Sequence, residues 1–123
     1  MEIVISIISF FAPLLGISMF VASIVGVLTF DELIKLEHQE FHSNWEKDGK
    51  PYGFFWQSRE SNFFTSSFAR NTLLTYWFFA IPKWMLSSTQ AMKLHKRYRI
   101  AESICVFVLL AIIMVIISTV MPQ

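Results

Sequence analysis

Two long uncharged runs bracket a mixed, aromatic centre. Residues 3–30 carry no charged side chain over 28 successive positions, and residues 104–121 read ICVFVLLAIIMVIISTVM. Apolar runs of 18 residues or more are long enough to cross the ~30 Å hydrocarbon core of a bilayer as helices. At ~1.5 Å per residue the first run measures ~42 Å, so it must tilt, kink or protrude. Pro13 removes one backbone donor and marks the expected kink. The segment before the second run also lacks Gly and Pro from residue 85 onward, which predicts one continuous helix from about Trp84 to Met121. Pro82 would precede its start and Pro122 follow its end. The chain thus divides into a transmembrane helix at 3–30, a helical extension at 31–49, an aromatic-rich interfacial segment at 50–83, a basic stalk at 84–103 and a second transmembrane helix at 104–121. The expected fold class is an all-α membrane protein, with two transmembrane helices joined by a helical, aromatic-rich cytoplasmic domain.

In the extension, Ile34, Phe41 and Trp45 recur at i, i+7 and i+11 and share one helical face, while Glu32, Lys35, Glu46 and Lys47 largely take the other. Asp48-Gly49 breaks this helix, and Lys50-Pro51 enforces extended backbone. Beyond the turn, eleven Phe, Tyr and Trp residues fall between Phe54 and Trp84. Three uses compete for them: a core between the connecting helices, an amphipathic segment on the inner leaflet, or a surface for a partner protein. Phe54, Phe55, Trp56, Trp77, Phe78 and Trp84 are the candidate interfacial or docking aromatics. Residues 73–81 are too few to span and end at Pro82.

Composition agrees with lipid as part of the solvent: hydrophobic residues reach 54% and charged residues only 15%, against about 25% charged in soluble domains. A net charge of +1 gives no case for nucleic-acid binding. All ten Lys and Arg lie between the two runs, with Lys93, Lys96, Arg97 and Arg99 close before the second. The positive-inside rule places the connecting domain in the cytoplasm and both termini outside. The same four charges would also meet anionic lipid heads. Met1-Glu2 provides no basic n-region and the first run exceeds a signal h-region, so it reads as an uncleaved anchor. Cys105 is single, so it makes no internal disulfide.

Chemistry is sparse. His38 and His42 share a helical face, but a zinc protease needs Glu directly after the first His, and Gln39 stands there. Glu46 would complete a His/His/Glu stripe. The better reading is a pair of histidines bordering an apolar stripe, and no metal or other cofactor is assigned. No G-x-S-x-G elbow and no phosphate-cradling glycine loop occurs. Asp31 and Glu32 read as the solvated end of a span. Neither span holds Asp, Glu, Lys, Arg or His, which argues against a proton relay. No enzyme and no small-molecule substrate is expected.

The first span does carry a pattern. Ser18, Ala22 and Gly26 are four apart, Ala12 and Gly16 repeat the spacing, and eight of its nine small residues occupy one half of the helix. Small residues let helix backbones approach within lipid. Ala111 and Ser118 offer a matching face on the second span. That surface would serve the protein's own second helix, another membrane protein or a second copy.

Two spans, the helical extension, Trp45-Glu46-x-x-Gly49-x-Pro51 and the aromatic stretch after it resemble small bacterial inner-membrane proteins of the universal stress protein B-like type. The resemblance covers the architecture of nearly the whole chain and implies a bacterial inner-membrane location. It transfers no residue roles, and His42-Ser43 stands where that family often has a His-Pro pair just upstream. The expected function is a non-enzymatic accessory subunit or adaptor of a membrane assembly. The alternative is a stress-related or immunity-type envelope protein acting directly at the inner leaflet.

Overall fold

The computed structural model describes residues 2–121, Ile8 in its backbone alone. Five helices follow in order: α1 (Glu2–Glu40), α2 (His42–Lys47), α3 (Phe63–Phe79), α4 (Lys83–Leu86) and α5 (Thr89–Val120). No strand occurs among the described residues. The protein is an all-α membrane protein in which two long apolar helices are joined by a helical, aromatic-rich region.

α1 and α5 are both long and apolar enough to cross a membrane, and only 11% of the most apolar window of each is buried within the protein. The core helix of a soluble protein would be mostly covered, so these two helices need lipid or partner helices around them. The parts suited to hydrocarbon are the uncharged runs, residues 3–30 and 104–121. α1 runs unbroken through Pro13.

The two helices pack antiparallel along one seam. Ser23 Oγ meets Cys105 Sγ at 3.5 Å, and a Cβ at Gly26 would touch that of Ala101 at 3.6 Å. Covered or half-covered positions recur every three or four residues, at 15, 19, 22, 26, 30 and 33 on α1 and at 98, 101, 105, 108, 111, 115 and 118 on α5. That spacing is what two near-parallel helix axes require.

Beyond the span, α1 continues as the spine of a small domain. Phe30, Leu33 and Ile34 form its core with Trp77, Met85, Ala91 and Tyr98. The helix yields only at Phe41, whose φ of −130° and ψ of 50° start α2. The long continuous helix expected from Trp84 is instead broken at Ser87-Ser88. Ser87 Oγ donates to the carbonyl of Trp84 at 2.8 Å, and Ser88 caps α5 by accepting the Ala91 N–H at 3.2 Å. Two serines thus offer the backbone alternative partners where neither Gly nor Pro is present. Pro122 lies outside the described residues.

Candidate functional site

The corner between α2 and α3 accounts for the W-E-x-x-G-x-P pattern. Gly49 N–H donates to the Glu46 carbonyl at 3.1 Å and Lys50 N–H to the Trp45 carbonyl at 3.0 Å. These are the paired bonds of a Schellman helix end, which needs a left-handed residue after the cap. Gly49 supplies it with φ +96°. Trp45 is fully buried, and its indole N–H donates to the Pro51 carbonyl at 2.8 Å. The motif is a helix-ending device, with each of its spaced residues used to build the corner.

The sequence places Asp31 and Glu32 at a solvated helix end, and Glu32 is exposed there. Asp31 itself is buried. Its carboxylate accepts three successive backbone N–H groups, from Phe54 at 2.6 Å, Phe55 at 2.7 Å and Trp56 at 3.1 Å. Charge-assisted bonds of this kind are the strong ones. A Cβ at Gly53 would overlap the carboxylate, so the loop closes only over glycine. Sequence reading missed this role because the three donors are backbone groups 23 to 25 positions away.

α5 in turn closes the end of α3. Tyr98 Oη donates to the Leu74 carbonyl at 2.6 Å, and His95 Nε2–H serves the Trp77 and Ala80 carbonyls at 2.7 and 3.1 Å. The Trp77 carbonyl, an orphan of the α3 C-terminus, and the Ala80 carbonyl just beyond it are thus satisfied from a neighbouring helix.

The core also holds a buried acid beside a second carboxyl group, that of Asp48. Glu37 has no solvent exposure, and neither carboxyl oxygen has a hydrogen-bond partner. It lies two helical turns beyond the end of the uncharged run. Burial, and then the neighbouring Asp48 carboxylate, push its pKa up to about 10. Glu37 is therefore protonated and neutral at physiological pH.

The candidate aromatics separate into two groups. Trp77 and Trp84 are buried in the core, and Trp56 and Phe78 pack against it half-buried. They serve as core because the bend at Phe41 and the break at Ser87 fold α3 and α4 back onto α1. Phe54 and Phe55 remain exposed, with the Arg70 guanidinium 4.8 Å over the Phe54 ring. The open aromatic surface includes residues not singled out from sequence. Phe63, Phe64, Phe68 and Phe79 are each 74–80% exposed on α3, whose opposite face buries Ser66, Ala69, Leu73 and Trp77. Period alone could have separated these faces, since the buried set falls at i, i+3, i+7 and i+11. Phe78 and Phe79 line a cavity of about 400 Å³ shared with Val27 and Val106, which lie within the uncharged runs. The end of α3 thus lies beside the ends of the two uncharged runs.

The small-residue face also divides. Ala22 and Gly26 are buried against α5, and Ala111 and Ser118 are half-covered on the facing helix. Ala12, Gly16 and Ser18 stay exposed, and a Cβ at Gly16 would meet nothing within 4 Å. The basic residues Lys93, Lys96, Arg97 and Arg99 are exposed. Among the described residues none of the four pairs with a carboxylate, and together they rim two apolar grooves of about 830 and 850 Å³ beside α5.

His38, His42 and Glu46 do come together, with a change of membership. His42 Nε2 lies 3.0 Å from Glu46 Oε1 and 3.5 Å from Glu60 Oε2. His38 turns to Ser58, with its Nε2 3.2 Å from Ser58 Oγ. The His38 carbonyl raises the His42 pKa above the usual histidine range; desolvation opposes it, and the Glu60 and Glu46 carboxylates add to the rise. No family model, curated protein or solved structure matches the chain.

Proposed function

We propose that the protein is a non-enzymatic accessory subunit or adaptor of a membrane protein assembly, held in a bacterial inner membrane with its helical domain in the cytoplasm and both termini outside. The observation that carries this reading is the aromatic outer face of α3. Phe63, Phe64, Phe68 and Phe79 lie open while the inner face of the same helix is fully used by the core. Isolated exposed apolar residues are ordinary, but Phe63, Phe64 and Phe68 cluster at the start of α3, with Phe79 at its end, and clustered exposed rings favour a binding surface. Ala12 and Gly16 add a smooth flank within the span where another helix, or a second copy of the chain, can approach. The placement of all ten Lys and Arg between the spans supports the orientation. The bacterial setting rests on the resemblance to the universal stress protein B-like proteins.

The test is mild-detergent extraction at the natural level, native sizing and identification of what travels with the protein. A stoichiometric companion is expected, lost when Gly16 becomes Leu or when Phe64 and Phe68 become Ser. Ala22 and Gly26 are unsuitable probes because they pack within the chain itself. Migration alone, or as a small homo-oligomer untouched by these substitutions, would refute the adaptor reading.

A second reading has one observation in its favour. The exposed Phe79 ring lies beside Val27 and Val106 at the membrane boundary, which suits a stress-related or immunity-type protein acting on the inner leaflet. Purified protein in liposomes would then shield this end of α3 from aqueous quenchers. Equal quenching with and without lipid would exclude it.

A further inference from the structure

The cluster at the α1–α2 corner contains a constraint on its own charge. His42 Nδ1 lies 3.0 Å from the backbone carbonyl of His38. A carbonyl only accepts, so Nδ1 carries the hydrogen and donates it. In the neutral ring Nε2 then presents a lone pair, and that lone pair faces two carboxylates. Three electron-rich atoms, His42 Nε2, Glu46 Oε1 and Glu60 Oε2, lie within 4.8 Å of one another. Such an arrangement needs a positive centre between them.

Two centres are available, a proton on Nε2 or a metal ion. The arrangement of the second ring nitrogen favours the metal ion. His42 Nε2 stands 3.0 Å from Glu46 Oε1, a distance that a hydrogen bond or two ligands of one ion can span, and 3.5 Å from Glu60 Oε2, which is long for a hydrogen bond. Tetrahedral zinc, with bonds of about 2.0–2.2 Å, holds neighbouring ligand atoms about 3.3–3.5 Å apart. The observed pair brackets that edge. The surroundings also fit. Metal-binding histidines characteristically donate their second ring N–H to a carbonyl or carboxylate, which fixes the tautomer; here the His38 carbonyl does so. The loop bearing Glu60 is held as well: Glu60 N–H donates to Ser58 Oγ at 3.2 Å, Ser61 N–H donates to the Ser58 carbonyl at 3.1 Å, and Ser58 Oγ contacts His38 Nε2. His38 is thereby a positioning residue for the third ligand.

We propose that His42 Nε2, Glu46 Oε1 and Glu60 Oε2 form a binding site for a divalent transition-metal ion of the zinc class, with a fourth position open to water or to a partner's side chain. The ligands come from α2 and from the loop before α3, so the ion ties the α1–α2 corner to the connecting loop. The site is independent of the adaptor reading.

The experiment uses the full-length protein in detergent, stripped with EDTA and titrated calorimetrically with Zn²⁺. One equivalent is expected to bind. Glu60→Gln and His42→Ala should each weaken binding at least tenfold, while Glu40→Gln, an exposed carboxylate outside the cluster, should leave it unchanged. In the wild type, Zn²⁺ should slow hydrogen exchange at the Ser61 amide, and in Glu60→Gln it should not. Glu60 lies in an exposed loop and Gln keeps its shape, so this variant tests the site even where His42→Ala disturbs the corner. Absence of zinc binding by the wild type, or binding unaltered by both substitutions, would overturn the proposal and leave a protonated His42 between two carboxylates.

Discussion

Replacing Glu37 by Gln should make the protein more stable, and the size of the gain can be worked from the site. A free glutamate has a pKa of 4.5, and in the folded chain burial and the Asp48 carboxylate push this one to about 10. Folding at neutral pH therefore requires Glu37 to take up a proton that the unfolded chain has lost. At pH 7 that costs about 1.4 kcal/mol for each of the roughly 2.5 pH units that separate 7 from the free value, or roughly 3 kcal/mol. The figure does not depend on the folded pKa so long as it stands well above 7. The sign follows from the proton count. The folded state binds one proton more than the unfolded state between pH 4.5 and about 10, so this group's contribution is most favourable below pH 4.5 and falls by about 1.4 kcal/mol per unit as pH rises through that window. A glutamine at this position keeps the shape and takes up no proton. The variant's advantage should be near zero around pH 4.5 and grow to roughly 3 kcal/mol at pH 7. Tryptophan fluorescence of the detergent-solubilised protein, followed through denaturant unfolding from pH 5 to 8, measures the difference, and titrating groups remote from Glu37 cancel between the two proteins. Parallel stability profiles for wild type and Glu37→Gln would refute the reasoning, since they would mean that Glu37 is charged in the folded state or already neutral in the unfolded one.

Asp31→Ala should destabilise the fold by about 3 kcal/mol, because three backbone donors lose a charged acceptor, and hydrogen exchange at the Phe54, Phe55 and Trp56 amides should accelerate. Gly49→Ala should cost about 1–2 kcal/mol from the left-handed backbone alone, with a further loss because Ala69 lies 3.1 Å from the new Cβ; thermal unfolding reads the sum. His95→Leu should cost about 2 kcal/mol by stranding the Trp77 and Ala80 carbonyls, with exchange rising at the C-terminal turn of α3 and unchanged at its start.

The spans were legible because lipid acts on every residue of a run alike, so uncharged length alone reports them. The turn at Gly49 was legible for a similar local reason, an Asp-Gly pair just ahead of a proline, but the extended backbone expected at Lys50 is replaced by a second left-handed residue with φ +54°. The break at Ser87-Ser88 was not, because serine ends a helix only through the bonds its hydroxyl finds, and those depend on the fold. The roles of Asp31, Glu37 and Glu60 were hidden for the same reason. Asp31 bonds to backbone groups that carry no residue identity, Glu37 is buried beside Asp48 from beyond the Phe41 bend, and Glu60 reaches His42 across a loop. His38 and His42 were recognised as neighbours from helical spacing, but the bend at Phe41 and the Ser58 hydroxyl turned one ring away from the cluster.

α1 leaves the uncharged region without a joint and runs on to Glu40 as the spine of the domain. Its uncharged stretch is longer than an average hydrocarbon core and unbroken at Pro13, so in a bilayer it would tilt or protrude, and where it tilts, thicker or thinner bilayers set different angles. A rigid rod transmits that angle in full. The α3 aromatic face is fastened to the same rod through the contact of Phe30 with Trp77, so its attitude to the membrane plane turns with it. A partner gripping that face would feel bilayer thickness as a change in the direction from which the face is presented, which makes α1 a tiller as much as an anchor.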